Sequence, residues 1–503
     1  MEVSCLAPAA PAGGASGMAN GAGAEALAPG GPWVREIVWR EPEAAFHAVR
    51  AEPWLAWLDS GGIPDERGRF SYLCVAPFRR IEARQGRVSV DGAAVDGDPF
   101  TVLAAELTRW RQPAVAGPAP FLGGAVGFLG YELGTALEHL TTRHPAPPDV
   151  PDMAVGLYDL LLVFDRARRR AWIVASGLPE TDLPARRARA ERRIAALHAR
   201  LAAASPPAPV PPPAPAHADP GWRPDLARQD YEARVRRVLD YIVAGDIYQA
   251  NFTMAHRAPR PPGLDAADLH LALRAESPAP FGAFLACGPD LALASVSPER
   301  FLSLDPSGRV ETRPIKGTRP RAADPAADAA LRAALAESRK DRAENLMIVD
   351  LLRNDISRVA EIGSVRVPAL CAVESFASVH HLVSVVEGRL CPGCGPVDLL
   401  RATFPGGSVT GAPKIRAMQI IDELEAARRG PYCGSIAWIG FDGTMDSNIV
   451  IRTLVVTRDA VVAQAGGGIV ADSDPAAEYE EMLVKVAPLL RALARAGGAG
   501  ERP

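Results

Sequence analysis

Cysteine and net charge are both scarce in this chain of 503 residues. The seven cysteines are odd in number and widely scattered, which argues against a disulfide framework. The net charge of −4 gives no reason to expect a nucleic acid or an anionic membrane as partner. No run approaches the roughly 18 apolar residues of a membrane span. Only Cys391-Pro-Gly-Cys394 has metal-ligand spacing, and no second pair or nearby histidine follows it, so we interpret it as a turn with two incidental thiols.

Composition divides the sequence into a tail and two larger parts joined by a proline-rich segment. Residues 1–32 are rich in Ala, Gly and Pro and lack the basic and apolar regions of a signal peptide, so we expect a disordered tail and a cytoplasmic protein. Residues 33–204 mix strand-like and helical runs. The prolines of 205–221 favour an extended linker or a long surface loop. Residues 222–498 carry most of the motif-like segments and form the predicted catalytic domain.

Hydrophobic periodicity predicts a sheet-based fold. Strand-like runs follow one another with helices inserted, which indicates an α+β protein built on antiparallel sheet, with function in the long loops. The predicted strands are 70–75, 88–90, 157–164, 247–255, 291–296, 310–315, 434–440 and 449–456, and the predicted helices are 184–204, 230–245, 328–359 and 475–496.

Lys316 is the most informative single residue. It follows the alternating run Val310–Ile315 and precedes Gly317, so we expect it at the end of a half-buried strand, where sites tend to form. A neutral, desolvated amine there can act as a nucleophile. The alternative is a surface lysine in a basic turn.

Two pairs of carboxylates suggest a site for a hard cation. Asp341 and Glu344 are three residues apart on one predicted helix, and Glu478 and Glu481 are three apart on the last one, so each pair lies on one helical face. Mg²⁺ is commonly held by one or two carboxylates together with substrate oxygens. Solvated helix faces are the alternative.

Two glycine-rich segments and a strand arginine point to an anionic ligand. The first segment contains Thr410 and Gly411 and leads into a helix, whose free N–H groups can hold a carboxylate or phosphate; Gly466–Gly468 can do the same. Arg452, in an apolar run, is expected to meet a carboxylate, either of a ligand or of a structural salt bridge. His381 is an acid/base candidate or a packed histidine.

Six segments together closely resemble the chorismate-utilising enzymes, in both order and spacing. The resemblance covers 222–496, and extends more weakly over 33–201 through Leu58-Asp-Ser and Gly123-Gly-Ala-Val-Gly-Phe. It implies a large, mostly antiparallel β-sandwich with surrounding helices, like that of anthranilate synthase component I. The segments are Asp246-Ile-Tyr-Gln-Ala-Asn, Ser297-Pro-Glu-Arg-Phe, Pro314-Ile-Lys-Gly-Thr, Glu344-Asn-Leu-Met-Ile-Val-Asp-Leu-Leu-Arg-Asn-Asp, Phe404-Pro-Gly-Gly-Ser-Val-Thr-Gly-Ala-Pro-Lys and Gly466-Gly-Gly-Ile-Val-Ala-Asp-Ser.

Within that family two positions select a branch. Lysine at position 316 is typical of the branch that forms 4-amino-4-deoxychorismate for 4-aminobenzoate and folate, whereas anthranilate synthases usually have alanine there. Isochorismate and salicylate synthases usually carry a catalytic lysine where this chain has Gln249. The resemblance therefore implies amination of chorismate at C4. Rival interpretations are an anthranilate synthase or related aminating enzyme of secondary metabolism, and a catalytically silent homologue that binds an amino acid.

The resemblance also implies roles for individual residues. Lys316 would be the nucleophile and Glu299 the general acid, and His381 would position the ring or move a proton. Mg²⁺ would be held chiefly by Glu344 and Glu481, with Glu478 and Asp341 joining through water; the family often has Glu where this chain has Asp341. The residues implied for substrate binding are Arg452, Tyr432, Thr410, Gly411, Gly466, Gly467, Gly468, Lys485 and Gln249.

Two partners follow from the same resemblance. No glutaminase nucleophile is recognisable in the sequence, so ammonia would come from a separate glutamine amidotransferase subunit or from solution. The region around Asp59 and Ser60 resembles the tryptophan-binding region of the family, which makes it a possible tryptophan pocket.

Overall fold

The computed structural model describes residues 23–62, 68–204, 220–376 and 379–497. Within these ranges the chain forms two antiparallel sheets, one of 13 strands and one of 12, together with 11 α-helices. The predicted α+β architecture, a mostly antiparallel β-sandwich with surrounding helices, is confirmed. None of the helices in the described ranges combines the length and the apolar character needed to cross a membrane.

The strands are numbered in chain order. They are Glu25–Ala26 (β1), Trp33–Ile37 (β2), Ala56–Asp59 (β3), Phe70–Cys74 (β4), Arg79–Arg84 (β5), Arg87–Val90 (β6), Ala93–Val95 (β7), Gly124–Leu129 (β8), Met153–Tyr158 (β9), Leu160–Asp165 (β10), Arg170–Ala175 (β11), Arg223–Pro224 (β12), Gln249–Pro259 (β13), Phe281–Ala286 (β14), Ala292–Ser297 (β15), Arg300–Leu304 (β16), Arg309–Thr312 (β17), Ile315–Pro320 (β18), Arg366–Ser375 (β19), Val379–Arg389 (β20), Gly411–Ala412 (β21), Ser435–Gly440 (β22), Met445–Asn448 (β23), Thr453–Val456 (β24) and Ala460–Ile469 (β25).

The helices are numbered in the same way. They are Pro42–Val49 (α1), Pro99–Arg109 (α2), Glu132–Leu137 (α3), Leu183–Ala203 (α4), Arg228–Val243 (α5), Ala266–Glu276 (α6), Pro325–Glu337 (α7), Arg339–Ser357 (α8), Pro396–Thr403 (α9), Lys414–Leu424 (α10) and Pro475–Gly497 (α11), and a 3₁₀ turn covers Gly407–Val409.

The two sheets both mix strands from the early and late parts of the chain. Sheet A has the order β1-β2-β11-β10-β4-β3-β14-β15-β24-β25-β13-β12, with β21 also paired to β13. Sheet B has the order β18-β20-β17-β16-β23-β22-β8-β9-β5-β6-β7, with β19 also paired to β20. The strand β18, which carries Lys316, therefore lies at one edge of sheet B.

Three apolar clusters hold the layers together. One lies between the sheets and joins Tyr72 and Leu293 of sheet A to Phe128 and Ile436 of sheet B. A second packs α1, α4, α5, α6, α10 and α11 on sheet A, and a third packs α2, α8 and α9 on sheet B. Burial of apolar surface in these clusters is the main source of stability.

Two predicted strands each divide into two. The run 157–164 forms the end of β9 in sheet B and β10 in sheet A, with buried Asp159 at the crossing. The run 310–315 also divides, because Arg313-Pro314 separates β17 from β18. Proline has no N–H to donate to a ladder, so a break at this point is expected. Lys316 thus lies near the start of a strand and not at the end of one.

The predicted strand 449–456 is likewise shorter than expected. The hairpin at Gly443 joins β22 to β23 in sheet B, and the chain then crosses to β24 in sheet A. Arg452 lies in this crossing with a positive φ of 52°, so it is not a residue of a regular strand. Positive φ is uncommon for a side chain of this size.

The last helix begins where the sequence predicts. The carboxylate of Asp474 accepts a hydrogen bond from the N–H of Ala477 at 2.9 Å, and Pro475 occupies the first helical position. The helical run 328–359 contains two helices, because Ser338 ends α7 and caps α8 through the N–H of Asp341 at 3.3 Å.

The predicted division into domains stays a prediction. Residues 1–22 of the predicted tail and 205–219 of the predicted linker lie outside the described residues. Within the predicted tail, however, Glu25–Ala26 pairs with β2, so its last part joins sheet A.

Candidate active site

Lys316 projects from β18 at an irregular point of the edge strand. The pairing of β18 with β20 shifts register between Lys316 and Thr318, and Gly317 between them has a φ of +78°. A methyl group added to Gly468 would lie 3.5 Å from Nζ of Lys316. The amine of sheet B therefore faces the glycine strand β25 of sheet A, across the cleft between the sheets.

Glu299 lies beside Lys316 in the turn between β15 and β16. Burial raises the pKa of the Glu299 carboxyl above its ordinary value, against the smaller opposing effects of a hydrogen bond with Ser408 and of the Lys316 charge. A carboxyl whose pKa is raised stays protonated closer to neutral pH and can donate a proton. The sequence reasoning did not single out Ser408, although it lies inside the glycine-rich segment quoted for the family.

Gln249 opens β13 and is directed at the same glycine strand. It is fully buried, and among the described residues neither its amide nitrogen nor its amide oxygen has a hydrogen-bond partner. A methyl group on Gly468 would lie 2.5 Å from its Nε2. Because a buried amide without partners is costly, two unused polar atoms at this point indicate a polar ligand.

The glycines of β25 allow neighbouring main chain and side chains to approach this strand closely. A Cβ on Gly466 would lie 2.1 Å from the carbonyl oxygen of Phe252, and a Cβ on Gly467 would lie 3.0 Å from Oε2 of Glu478. The space beside these glycines is therefore taken by main chain and by acidic side chains. Larger residues would push both away from the cleft.

The loop before α10 docks on the start of β13. Gly411 pairs with Ala250, and a Cβ on Gly411 would lie 2.1 Å from the carbonyl oxygen of Gln249. Buried Thr410 accepts a hydrogen bond from the N–H of Asn251 at 2.7 Å. The predicted substrate-binding residues Thr410, Gly411 and Gln249 are thus brought together.

Arg452 and Tyr432 form the second polar group of the cleft. Burial lowers the pKa of Arg452 and raises that of Tyr432, and the two groups act on each other electrostatically. Among the described residues Arg452 makes no ion pair with a carboxylate, so the structural salt bridge considered above is not formed there. A largely desolvated guanidinium that has no carboxylate partner in the described ranges favours a carboxylate ligand.

Glu478 and Glu481 of α11 flank Gly467 together with Lys485. Lys485 donates to the carbonyl of Gly466 at 2.9 Å and pairs with Glu481 at 2.6 Å. Burial and the charge of Glu481 raise the pKa of Glu478, although a hydrogen bond from Ser473 opposes them. For Glu481 burial raises the pKa, but the pairing with Lys485 outweighs it and the net shift is downward.

Glu344 of α8 faces this acidic group, while Asp341 is engaged elsewhere. The pKa of Glu344 is raised by burial and by the charges of Asp341 and Glu478, against the opposing charge of Lys316. Asp341 pairs with Arg319 at 3.1 Å and lies against Gly317, where a Cβ would approach its Cγ to 2.8 Å. The two acidic helix faces do meet at the cleft.

The acidic group is compatible with a cation that takes few protein ligands. In the described ranges no three His, Cys, Asp or Glu side chains lie close enough together to hold a metal ion. Mg²⁺ ordinarily needs only one or two carboxylates plus substrate oxygens and water. Buried carboxyls that raise one another's pKa are also the groups that a cation would stabilise, so the residues fit Mg²⁺ on these terms.

His381 lies on β20 opposite β18. Its Nδ1 is 2.9 Å from Oγ1 of Thr318, and its ring packs against Phe376 with the centroids 5.4 Å apart. Because Thr318 is two residues from Lys316, the histidine belongs to the same edge of sheet B.

Asp59 and Ser60 lie outside this cleft. They are next to a separate cavity of about 300 Å³ between the sheets, which Asp59 lines. Asp59 accepts a hydrogen bond from Nε of Arg274 at 2.5 Å, while its Oδ1 lies 4.0 Å from Nη1 of Arg166. The hydroxyl of Ser60 is 3.2 Å from that of Ser71. Phe281 and Trp438 supply aromatic walls.

The cleft brings together the amine of Lys316 and the Glu299 carboxyl with its raised pKa. Within the described ranges it also holds an amide without a hydrogen-bond partner and a guanidinium without a carboxylate partner. Residues 57–491 match the family model described as chorismate binding enzyme. The match covers most of the chain, and the chain belongs to this family. It is therefore an enzyme of the class that acts on chorismate.

Curated relatives and a solved structure agree with this family. The chain is 43% identical over 477 residues to aminodeoxychorismate synthase component 1 of Klebsiella aerogenes, covering 92% of this chain and 99% of that one. It is 43% identical over 414 residues to anthranilate synthase component 1 of Streptomyces coelicolor, covering 80% and 79%. The crystal structure of anthranilate synthase component I from Streptococcus pneumoniae superposes with a TM-score of 0.73 at 32% identity, covering 85% and 93%.

Proposed function

We propose that this chain is the synthase component that converts chorismate and ammonia into 4-amino-4-deoxychorismate. The observation that carries the proposal is the pairing of Lys316 and Gln249 against Gly468. A nucleophilic amine at this point, beside a neutral amide and not a second lysine, favours attack by the protein on the ring and disfavours activation of water. The names of the similar component 1 proteins support the same branch.

In this mechanism Lys316 attacks first. Its neutral amine forms a bond to C2 of the ring, both ring double bonds shift by one position, and the C4–oxygen bond breaks. Glu299 donates its proton to the departing oxygen, which leaves as water. The raised pKa of Glu299 supports its role as general acid, because the carboxyl must be protonated when substrate binds.

Ammonia then completes the exchange. It adds to C4, both double bonds shift back, and the Lys316 amine leaves C2, so that the lysine is regenerated. The carboxylate of Glu299 takes up a proton released by the added ammonia. The enolpyruvyl group is retained, so a separate lyase would be needed to form 4-aminobenzoate.

The other residues of the cleft bind and orient the substrate. Arg452 and Tyr432 bind a carboxylate, since the guanidinium has no carboxylate partner among the described residues. Gln249 and Thr410 orient the ring, and Lys485 anchors the glycine strand through Gly466. His381 positions the ring edge next to β18 or moves a proton there.

Mg²⁺ would be held by Glu344 and Glu481, with Glu478 joining through water. Bound there, the ion supplies Lewis-acid neutralisation of the ring carboxylate. Asp341, which is paired with Arg319, contributes to holding the Lys316 turn in addition to any contact through water.

Two partners belong to the proposal. The component 1 names of the relatives support a second component, and we propose that it is a glutamine amidotransferase that supplies ammonia. We propose tryptophan as the ligand of the cavity beside Asp59, because the aromatic walls suit an indole ring; the Asp59 carboxylate is shared there between Arg274 and Arg166.

Identification of the product tests the proposal. Purified chain with chorismate, Mg²⁺ and ammonium at alkaline pH should give a product that retains the enolpyruvyl group and yields 4-aminobenzoate when an aminodeoxychorismate lyase is added. Anthranilate as the product would assign the chain to the rival branch. Chorismate left unconsumed under all these conditions would favour a silent amino-acid-binding homologue.

A further inference from the structure

A buried ion pair lies behind the substrate-binding segments. Arg429 and Glu425 are 2.7 Å apart, with side chains only 1% and 5% exposed. The guanidinium also stacks on Tyr131, 4.5 Å from the ring centroid. Because the desolvation of two charges offsets much of their attraction, a pair of this kind is a weak source of stability and needs another explanation.

Arg429 also donates hydrogen bonds to two backbone carbonyls outside the ion pair. Nη1 donates to the carbonyl of Val409 at 2.7 Å, and Nη2 donates to the carbonyl of Asn251 at 2.5 Å. These two carbonyls belong to the loop that carries Thr410 and to the strand that carries Gln249. One side chain therefore joins both substrate-facing segments.

Glu425 and Glu132 extend these contacts. Glu425 accepts hydrogen bonds from the N–H and hydroxyl of Thr253 at 2.9 and 2.8 Å. Glu132 accepts hydrogen bonds from the N–H groups of Arg429 and Gly430 at 2.9 and 3.0 Å. The backbone that leads from Arg429 to Tyr432 is thereby fixed as well.

Residues 409–411 and 249–251 pack so closely that neither segment can shift alone. The Cβ position of Gly411 is only 2.1 Å from the carbonyl oxygen of Gln249, and Asn251 donates to Thr410 at 2.7 Å. A shift of the loop must therefore move the start of β13 with it. That start holds Gln249, whose two amide atoms have no hydrogen-bond partner within the described part of the chain.

We propose that Arg429, held by Glu425, is a positioning residue for the reaction. It clamps residues 409–411 to residues 249–251, so that Thr410, Gly411 and Gln249 present a fixed surface to the ring of the substrate. The proposal rests on the proposed function for the identity of the substrate, but the clamp itself is a property of the chain. A purely structural pair would change stability without changing the substrate-facing backbone selectively.

The variant Arg429→Lys tests the clamp. Lysine keeps the buried positive charge beside Glu425 but cannot reach both carbonyls with one planar fork. The matched control is Arg193→Lys, because Arg193 also pairs with a buried carboxylate, Asp159, at 3.4 Å and donates to a carbonyl, that of Ala76, at 2.9 Å. The control pair lies outside the cleft.

Two measurements are made on both variants in the full chain. Hydrogen exchange should become faster at the amides of 249–251 and 409–411 in Arg429→Lys and stay at the wild-type rate there in the control. The KM for chorismate should rise about tenfold with a smaller change in kcat, the size expected for one lost hydrogen bond to a charged group. Wild-type exchange and wild-type KM in Arg429→Lys would overturn the proposal.

A milder variant covers the case in which Arg429→Lys does not fold. Glu425→Gln keeps an oxygen for Thr253 but weakens the hold on the guanidinium, so it should shift exchange and KM in the same direction by about threefold. Glu425→Gln with unchanged exchange and KM would also contradict the clamp. If the wild-type chain does not use chorismate, the proposed function fails, whereas the exchange comparison still decides the clamp.

Discussion

The two walls of the candidate active site are built in different ways. The sheet A wall consists of Gln249 and Gly466–Gly468, and its backbone packs so closely that a Cβ on Gly466 would lie 2.1 Å from a carbonyl oxygen. The opposite wall consists of Lys316, on an edge strand of sheet B whose register shifts at Gly317, and Glu299, in the turn that leads into β16 of the same sheet. We call it the sheet B wall. One wall is mostly main chain, and the other presents reactive side chains.

This difference separates binding from chemistry. A wall of tightly packed backbone can hold the shape of a substrate but offers no nucleophile, whereas an edge strand and the neighbouring turn can direct a lysine and a carboxyl at the ring. Changes on the sheet A wall should therefore raise KM, and changes on the sheet B wall should lower kcat. The predictions below are ordered from the largest expected effect to the smallest.

Lys316→Arg should have the largest effect. It keeps the positive charge but removes the amine that can lose its proton, so kcat should fall by about 10⁴-fold or more, as expected for loss of a nucleophile. Lys340→Arg is the matched control, because Lys340 lies near the same carboxylates, 4.0 Å from Glu478. Steady-state rates of chorismate consumption measure both. Comparable rates in the two variants would contradict the assignment of the nucleophile to the sheet B wall.

Glu299→Gln should lower kcat by about 100-fold, the usual contribution of a general acid. The sign of the pH effect follows from the raised pKa of Glu299. The protonated form is the active one, so the contribution of Glu299 to wild-type kcat should be lost as pH rises through that raised pKa, against the opposing gain as the attacking amines lose their protons. In the Gln variant this fall should disappear. Unchanged pH–rate profiles would show that another group supplies the proton.

Glu481→Gln should weaken the apparent affinity for Mg²⁺ by about tenfold, because one carboxylate of the proposed site loses its charge. No residue of either wall is changed, and Lys485 keeps its hydrogen bond to Gly466, so full activity should return at high Mg²⁺. Glu480→Gln serves as the control, since Glu480 is exposed and pairs with Arg228 at 2.7 Å. Mg²⁺ titration of the two variants is the measurement, and equal titration curves would exclude Glu481 as a ligand.

Gly468→Ala should have the smallest effect, mainly on the sheet A wall. The added methyl would meet Nε2 of Gln249 at 2.5 Å, so the amide must turn and KM for chorismate should rise about fivefold with little loss of kcat. Gly395→Ala is the control, because its nearest contact would be 3.8 Å away. A fall in kcat at constant KM would reverse the assignment of the two walls.

Local patterns predicted the parts of the site that lie close together in sequence. The antiparallel α+β fold followed from the succession of strand-like runs, and the predicted helix 475–496 matches α11, Pro475–Gly497. The two acidic helix faces also followed from spacing, and α8 and α11 do meet at the cleft. The glycine-rich segments were expected to approach a ligand and do line the same cleft.

Features set by long-range contacts were missed for a physical reason. The positive φ of Arg452 arises from the crossing between sheets, which periodicity does not reveal. The pairing of Asp341 with Arg319 and the contacts of Arg429 with Val409 and Asn251 join residues distant in sequence. Ser408 was inside a quoted motif, and its hydrogen bond with Glu299 required the two sheets to be placed together.

Intact-mass analysis of the chain is the most direct test of the central claim, that Lys316 is a covalent nucleophile. The wild-type protein is given chorismate and Mg²⁺ without ammonia and is then denatured and digested. We predict an adduct with the mass of chorismate less one water, located on Lys316, absent from Lys316→Arg and discharged by ammonium. Catalytically competent wild-type protein that forms no adduct, or a Lys316→Arg variant that makes 4-amino-4-deoxychorismate at the wild-type rate, would contradict the claim.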